Sequence, residues 1–270
     1  MFMEYNLMII MNNIVKKNRK FNEIEYEYYE INNDKNQNTL ILPGWQQNFE
    51  TYQNMYSTIG KYSNIYIISF PGFKNTIQPL KSLTLSDYVD IVNDLIDHLH
   101  LNNLLLLGHS FGGRVAIKLQ SIYKKANYLI LVSSAGLKNH NLINKIKVAR
   151  YKIKKWLFYR ISKQNYYYLI KTSGSNDYKE LSVTMKQTFN NIINEDLSSF
   201  LKKIEVPTLL IWGSQDKTTP LKMGKKFRKK MNNSELVVLK GCGHFSFLES
   251  KREFNLILDA FYKNVWGDKY

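Results

Sequence analysis

Ser110 lies in the segment of the chain with the clearest chemical pattern, Gly108-His109-Ser110-Phe111-Gly112, which reads G-x-S-x-G and is followed by a further glycine. An apolar run precedes this segment and a helix-like pattern follows it, so Ser110 is predicted on a sharp turn between a strand and a helix. Gly108 and Gly112 leave room for the close crossing of these two elements. We predict that the Ser110 hydroxyl is the nucleophile of an acyl transfer.

A serine hydroxyl is a weak nucleophile near neutral pH and needs a neighbouring base. The chain has five histidines, and four of them lie in a predicted helix, beside the nucleophile or at the start of a helical segment: His98, His100, His109 and His140. His244 remains, in a glycine-rich loop directly after the last apolar run at residues 236–239. We therefore predict His244 as the general base.

The third member of such a site orients the imidazole and stabilises its protonated form. Asp216 is suited to this role because it lies in a turn just after the apolar run at residues 208–212. Glu195 and Asp196 are weaker candidates, since they precede this returning strand. Aspartate is also common in solvated turns, which is the alternative interpretation of Asp216.

Two backbone N–H groups are needed to stabilise the oxyanion that forms on the attacked carbonyl. Phe111, directly after the nucleophile, is expected to supply one of them. Trp45, in the loop after the first core strand, is expected to supply the other. Gly44 is expected to let this loop approach the substrate closely.

The elements that position these residues are short apolar runs, each ending in turn residues, which alternate with helical patterns. Strands are predicted at residues 23–30, 39–42, 65–68, 104–107, 128–132, 208–212 and 236–239. Helices are predicted at residues 83–100, with Ser86 as N-cap, and at 114–124 and 253–262. This pattern indicates an α/β fold with a mainly parallel central sheet flanked by helices.

Residues 137–199 break this alternation, because they show long helical patterns and no strand-like run. We interpret them as a helical cap insertion between two parts of one core, residues 1–136 and 200–270. An apolar stripe in the cap (Ile146, Ala149, Ile153, Trp156 and Leu157) is expected to pack on the core with the lysines facing water. The alternative is that this basic segment lies on anionic lipid.

The formal net charge is +16, from 38 Lys and Arg against 22 Asp and Glu. We expect a basic surface and no nucleic-acid partner, because no zinc-finger spacing, RNP-like motif or phosphate loop accompanies this charge. Cys242 is the single cysteine, so no intrachain disulfide can form. Residues 1–11 lack the features of a targeting signal, and we expect a cytoplasmic protein.

With these motifs, the chain resembles the α/β-hydrolase superfamily from residue 39 to the last helix. Besides the serine turn, Phe70-Pro71-Gly72-Phe73 is similar to the family's D-x-P-G-x-G loop, and residues 206–216 and 243–249 are similar to its acid and histidine segments. Two cap segments, 173–178 and 194–197, resemble uncharacterised hydrolases of low-GC Gram-positive bacteria. The order Ser, Asp, His is also that of the family.

The resemblance implies a Ser110–His244–Asp216 triad that cleaves a carboxylic ester or similar small acyl substrate through an acyl-enzyme, without a metal or organic cofactor. Other members of the fold act on carbon–carbon bonds or as peptidases, and a ligand-sensing protein with little turnover is a third alternative. We expect a monomer or homodimer.

Overall fold

The structure is a computed structural model that describes residues 14–74, 76–138, 142–165, 168 and 176–267. Residues 1–11, His140 and residues 173–175, on which part of the sequence interpretation depends, lie outside this range. Within it, eight strands form one sheet: β1 (Ile14–Phe21), β2 (Ile24–Ile31), β3 (Asn38–Leu42), β4 (Asn64–Ser69), β5 (Leu104–His109), β6 (Tyr128–Val132), β7 (Thr208–Gly213) and β8 (Ser234–Leu239). All seven predicted strands are present, and β1 is an additional one.

The strand order is β1-β2-β4-β3-β5-β6-β7-β8. β1 and β2 pair antiparallel at one edge, β2 pairs antiparallel with β4, and the remaining neighbours are parallel. The carboxyl ends of β3, β5, β6, β7 and β8 therefore meet at one edge of the sheet, where open α/β sheets bind ligands. The predicted fold class is confirmed.

The central strands are apolar throughout because helices cover both faces of the sheet. In β5, Leu104 and Leu106 face one apolar core, whereas Leu105 and Leu107 face the other. The helices are α1 (Gln53–Ile59), α2 (Leu85–His98), α3 (Phe111–Tyr123), α4 (Leu142–Ile161), α5 (Asn176–Glu180), α6 (Val183–Ile193), α7 (Ser198–Leu201), α8 (Leu221–Lys230), α9 (Ser246–Glu249) and α10 (Lys251–Trp266), and a 3-10 turn spans Phe49–Tyr52. α2, α3 and α8 pack on the first face, and α1 and α10 on the second.

The start of α2 differs from the prediction, because Thr84 and not Ser86 is its N-cap. The Thr84 hydroxyl accepts a hydrogen bond from the backbone N–H of Asp87, and the Asp87 carboxylate accepts one from the backbone N–H of Thr84. This reciprocal capping box satisfies two helix-end donors, which a cap at Ser86 would not do. The Ser86 hydroxyl instead accepts a hydrogen bond from Lys118 Nζ.

The segment between β6 and β7 is helical wherever the structure describes a regular element, with α4, α5, α6 and α7. The domain boundaries at 137 and 199 remain a prediction. The expected packing of the apolar stripe is wrong for three of its residues, since Ile153, Trp156 and Leu157 are 60%, 58% and 40% exposed. The core on this side is covered by α6, through its buried Met185 and Ile192.

The side chains of Ile146 and Ala149 lie outside the described part of α4. Among the described residues, no helix is long and apolar enough to cross a membrane.

Candidate active site

Ser110 lies on the sharp turn between β5 and α3, with φ at 51° and ψ at −109°. This backbone conformation is unusual for a residue with a side chain and stores strain. It is held by two hydrogen bonds, in which Ser110 N–H donates to the Val132 carbonyl and Ala135 N–H donates to the Ser110 carbonyl. The predicted turn between strand and helix is therefore present, and the helix begins earlier than the predicted residue 114.

The glycines around this turn are required by close backbone contact. A Cβ on Gly112 would lie 1.8 Å from the Leu42 carbonyl oxygen, and one on Gly108 would lie 2.7 Å from the Gly113 Cα atom. The contact of Gly112 brings the end of β3 against the first turn of α3. It places the loop of Trp45 beside Ser110.

His244 lies next to Ser110 although the two residues are 134 positions apart in sequence. Its Nε2 is 2.9 Å from Ser110 Oγ, and its Nδ1 is 2.9 Å from Asp216 Oδ2. In the tautomer that these partners favour, Nδ1–H donates to the carboxylate and the unprotonated Nε2 accepts from the serine hydroxyl. This is the geometry that a general base needs.

Asp216 is held in place by the turn that follows β7. Its Oδ1 accepts the backbone N–H groups of Thr218 and Thr219 at 2.8 and 2.9 Å, and the Thr219 hydroxyl lies 2.8 Å from Oδ2. Burial alone would raise the pKa of Asp216, but the His244 side chain and the Thr219 donors outweigh it and lower this pKa below its usual value. The carboxylate is therefore ionised at neutral pH.

The two weaker acidic candidates are engaged elsewhere. The Glu195 carboxylate binds Lys118 Nζ at 2.6 Å. The Asp196 carboxylate accepts the backbone N–H groups of Lys138 and Ser198. Of these candidates, only Asp216 is therefore brought to His244.

The two predicted oxyanion donors lie on neighbouring elements. Phe111 is the first residue of α3, so its N–H has no acceptor within the helix, and the helix dipole favours negative charge at this end. Trp45 follows β3, and its indole packs edge-on against the Phe111 ring with centroids 5.6 Å apart. Among the described residues, neither the Trp45 nor the Phe111 N–H group has a hydrogen-bond acceptor. Both are free to bind an oxyanion.

His109 is a part of the site whose role the sequence did not reveal. It is 1% exposed, and its Nδ1 lies 3.0 Å from the Tyr52 hydroxyl, which accepts the N–H of Gly44. Its Nε2 lies 3.2 Å from the His244 carbonyl oxygen. Burial lowers the pKa of His109 to about 3, so its ring is neutral. His109 therefore connects the Trp45 loop to the backbone of His244.

The close approach that Gly44 permits also involves His109, since a Cβ on Gly44 would lie 2.8 Å from His109 Nδ1. Gly44 therefore serves this contact in addition to the predicted approach of the loop to the substrate. A histidine between Gly108 and the nucleophile is a local signal that could have suggested this contact, but its partners are distant in sequence. Tyr52 and Thr219 were missed for the same reason.

A cavity of about 450 Å³ opens at Ser110 and His244. Its walls are mostly apolar and come from the Trp45 loop, from α3, from the segment after β6, from α5 and α6 with the turn between them, and from α8. They include Trp45, Phe111, Leu137, Tyr178, Leu181, Phe189, Ile192, Ile193 and Met223. Such a cavity suits an apolar acyl group next to the reacting carbonyl. No group of described residues could hold a metal ion.

A mainly parallel sheet with a serine on the turn after its fifth strand, and a histidine in the loop after its last strand, defines an α/β-hydrolase fold. The chain belongs to the alpha/beta hydrolase family, whose family model matches residues 40–255. It is accordingly a hydrolase.

Two curated proteins illustrate its relatives. The AB hydrolase superfamily protein YisY of Bacillus subtilis (strain 168) is 24% identical over 253 residues, which cover 82% of this chain and 90% of YisY. This similarity confirms the resemblance to low-GC Gram-positive hydrolases. The pimeloyl-[acyl-carrier protein] methyl ester esterase of Wigglesworthia glossinidia brevipalpis is 24% identical over 251 residues, covering 84% and 93% of the two chains.

A solved structure with the same fold is the meta-cleavage product hydrolase of Pseudomonas fluorescens IP01. It superposes with a TM-score of 0.71 at 17% identity and covers 94% of this chain and 99% of its own. At this identity the likeness concerns the fold alone.

Proposed function

We propose that this hydrolase cleaves a carboxylic ester or a similar acyl compound, with Ser110 as nucleophile, His244 as base and Asp216 as the residue that orients His244. The observation that supports this most directly is the continuous series of hydrogen bonds from Ser110 Oγ through His244 to Asp216 at the wall of an apolar cavity. The similarity to a methyl ester esterase also favours an ester substrate.

The reaction is a double displacement. His244 Nε2 takes the proton of the Ser110 hydroxyl while Oγ attacks the carbonyl carbon, and the backbone N–H groups of Trp45 and Phe111 donate to the oxyanion. His244 then gives this proton to the leaving alcohol, which departs and leaves an acyl-serine. A water molecule, deprotonated by His244, hydrolyses the acyl-serine and releases the acid. The proposed mechanism needs no metal or organic cofactor.

The test is hydrolysis of a short p-nitrophenyl ester together with labelling by a fluorophosphonate probe. Ser110→Ala is expected to abolish both signals. Ser246→Ala is a matched control, because it removes a buried hydroxyl for which the described residues offer no hydrogen-bond partner. Ser246 lies in the helix after the His244 loop. Full hydrolysis by the Ser110→Ala protein would contradict the proposal.

Hydrolysis of a carbon–carbon bond next to a carbonyl group is the second candidate, since the sequence relatives also include a 2-hydroxy-6-oxo-6-(2'-aminophenyl)hexa-2,4-dienoic acid hydrolase. Esters and vinylogous diketones assayed side by side separate the two reactions, because preferred turnover of the diketones would favour the second candidate. Labelling of Ser110 without turnover of any ester or diketone would favour a ligand-sensing protein.

A further inference from the structure

Arg114 is a buried charged residue that the proposed mechanism does not use. It lies one helical turn after Ser110 in α3, is 6% exposed, and lines the cavity that opens at the nucleophile. Among the described residues that line this cavity, Arg114 is the only one with a permanent charge. A buried cation is costly unless an anion or several acceptors compensate for it.

In the described part of the chain, the hydrogen bonds of Arg114 use one of its three guanidinium nitrogens. Nη1 donates to the backbone carbonyl oxygens of Ile192 and Glu195 at 3.1 and 2.8 Å, at the carboxyl end of α6. Nε and Nη2 have no acceptor among the described residues. Neither nitrogen is among the fully buried polar atoms without a hydrogen-bond partner, so both keep accessible surface on a residue that lines the cavity.

The carboxylates of Glu195 and Asp196, which lie beside these carbonyls in the sequence, do not form an ion pair with Arg114. No carboxylate of the described residues lies within 4.0 Å of its guanidinium. The Glu195 carboxylate binds Lys118 Nζ, which is itself anchored to Ser86 Oγ. Burial lowers the pKa of Arg114 below its usual value, although the negative charges of Glu195 and Asp196 act to raise it.

The accessible part of the side chain has the geometry that binds a carboxylate. Nε and Nη2 form one edge of the guanidinium, and two parallel N–H groups on such an edge match the two oxygens of a carboxylate. Nη1 alone donates to the carbonyl oxygens of Ile192 and Glu195, which link α3 to the end of α6. The Nε–Nη2 edge is therefore not needed for this contact between the helices.

We propose that the substrate of this enzyme carries a carboxylate, which binds the Nε–Nη2 edge of Arg114 while its ester carbonyl lies at Ser110. This inference rests on the proposed function. A half-ester of an aliphatic dicarboxylic acid has the required chemistry, with an apolar chain for the cavity walls and a carboxylate at its far end. A carboxylate on the alcohol part of the ester could bind the same Nε–Nη2 edge of Arg114.

The experiment compares esters of equal length with and without the charge. In the first arm, mono-p-nitrophenyl adipate is measured against p-nitrophenyl hexanoate; in the second, the hexanoate ester of 4-hydroxybenzoate is measured against phenyl hexanoate. The quantity of interest is the ratio of kcat/KM for the charged and neutral esters within each protein. This ratio is independent of the fraction of enzyme that is folded.

Wild-type enzyme is expected to prefer the charged ester in one of the two arms. Arg114→Met is expected to lower this ratio about tenfold to a hundredfold, which is the usual effect of losing a charge-assisted hydrogen-bonded pair. Arg114→Lys is expected to retain part of the preference, because it keeps the charge and loses the planar edge. Lys118→Met is the control, since it removes a buried cation of the same helix that does not line the cavity, and its ratio should equal that of wild type.

A binding measurement separates this inference from the proposed function. Adipate is titrated by calorimetry into the Ser110→Ala protein and into the Ser110→Ala/Arg114→Met protein, where turnover plays no part. Binding to the first and a loss of affinity in the second supports the carboxylate site even if Ser110 proves not to be the nucleophile. Equal turnover of charged and neutral esters in both arms, together with no adipate binding, would overturn it while leaving an ester hydrolase in place.

Discussion

Replacement of His109 by glutamine is expected to make the folded protein less sensitive to acid. The His109 ring is enclosed between Tyr52, Phe247 and the His244 loop, and its ring nitrogens face the Tyr52 hydroxyl and the His244 carbonyl. Burial lowers its pKa from 6.5 to about 3 in the folded chain. A glutamine amide can accept from the same hydroxyl and donate to the same carbonyl, but it does not titrate.

The sign of the effect follows from proton linkage. Because the folded pKa of His109 lies below its unfolded value, the unfolded chain binds a proton at this residue between the two values and the folded chain does not. The contribution of the neutral His109 to the free energy of unfolding is therefore complete above about pH 6.5, and it is lost as the pH falls towards about 3. Between about pH 6 and about pH 4 this loss amounts to roughly 2 to 3 kcal/mol in the free energy of unfolding.

The assay is urea denaturation of wild type and His109→Gln at a series of pH values over this interval. The difference in unfolding free energy between the two proteins should shift by roughly 2 to 3 kcal/mol in favour of the variant as the pH falls. His98→Gln, which changes an exposed histidine of α2, should leave the corresponding difference nearly constant. A constant difference for His109→Gln as well would refute a neutral, buried His109.

Three further results are expected. Asp216→Asn should lower kcat about 10⁴-fold with little change in KM, because the amide no longer holds His244 in the required tautomer; an unchanged kcat in steady-state assays would exclude the assigned role. Gly112→Ala should lower the free energy of unfolding, measured with denaturant, by more than about 3 kcal/mol, because its Cβ would overlap the Leu42 carbonyl. Gly241→Ala has open space around the new Cβ but a φ of 77°, so it should lower this free energy by only about 1 kcal/mol. Similar losses for the two variants would contradict the close contact at Gly112. Finally, α4 contains seven Lys and Arg residues, no acidic residue, and exposed Trp156 and Tyr159. The protein should therefore co-sediment with vesicles of anionic lipid, and this binding should weaken at high salt and after Trp156→Ala. Sedimentation that does not depend on the anionic lipid content would rule out binding of α4 to anionic lipid.

Much of the fold could be predicted from the sequence because its signals are local. Continuous apolar runs that end in turn residues are sufficient to identify strands buried on both faces, as residues 104–107 illustrate. The turn at Ser110 is equally local, since the glycines that its backbone needs are its own neighbours. The expected N-cap at Ser86 is wrong because Thr84 and Ser86, two positions apart, both offer a hydroxyl, and only the partner Asp87 distinguishes them.

The sequence by itself determined the sharp turn at Ser110, the α/β alternation and a short list of candidate acids and bases. Only the tertiary structure decided that His244 and Asp216 reach Ser110, that His109 joins the Trp45 loop to His244, and that the Arg114 side chain meets the carbonyls of α6. It also decided that α6 covers the core on this side, whereas Ile153, Trp156 and Leu157 of α4 are exposed. The reason is physical: periodicity and turn chemistry act over a few residues, whereas these contacts join distant segments and depend on how the whole sheet and its helices pack.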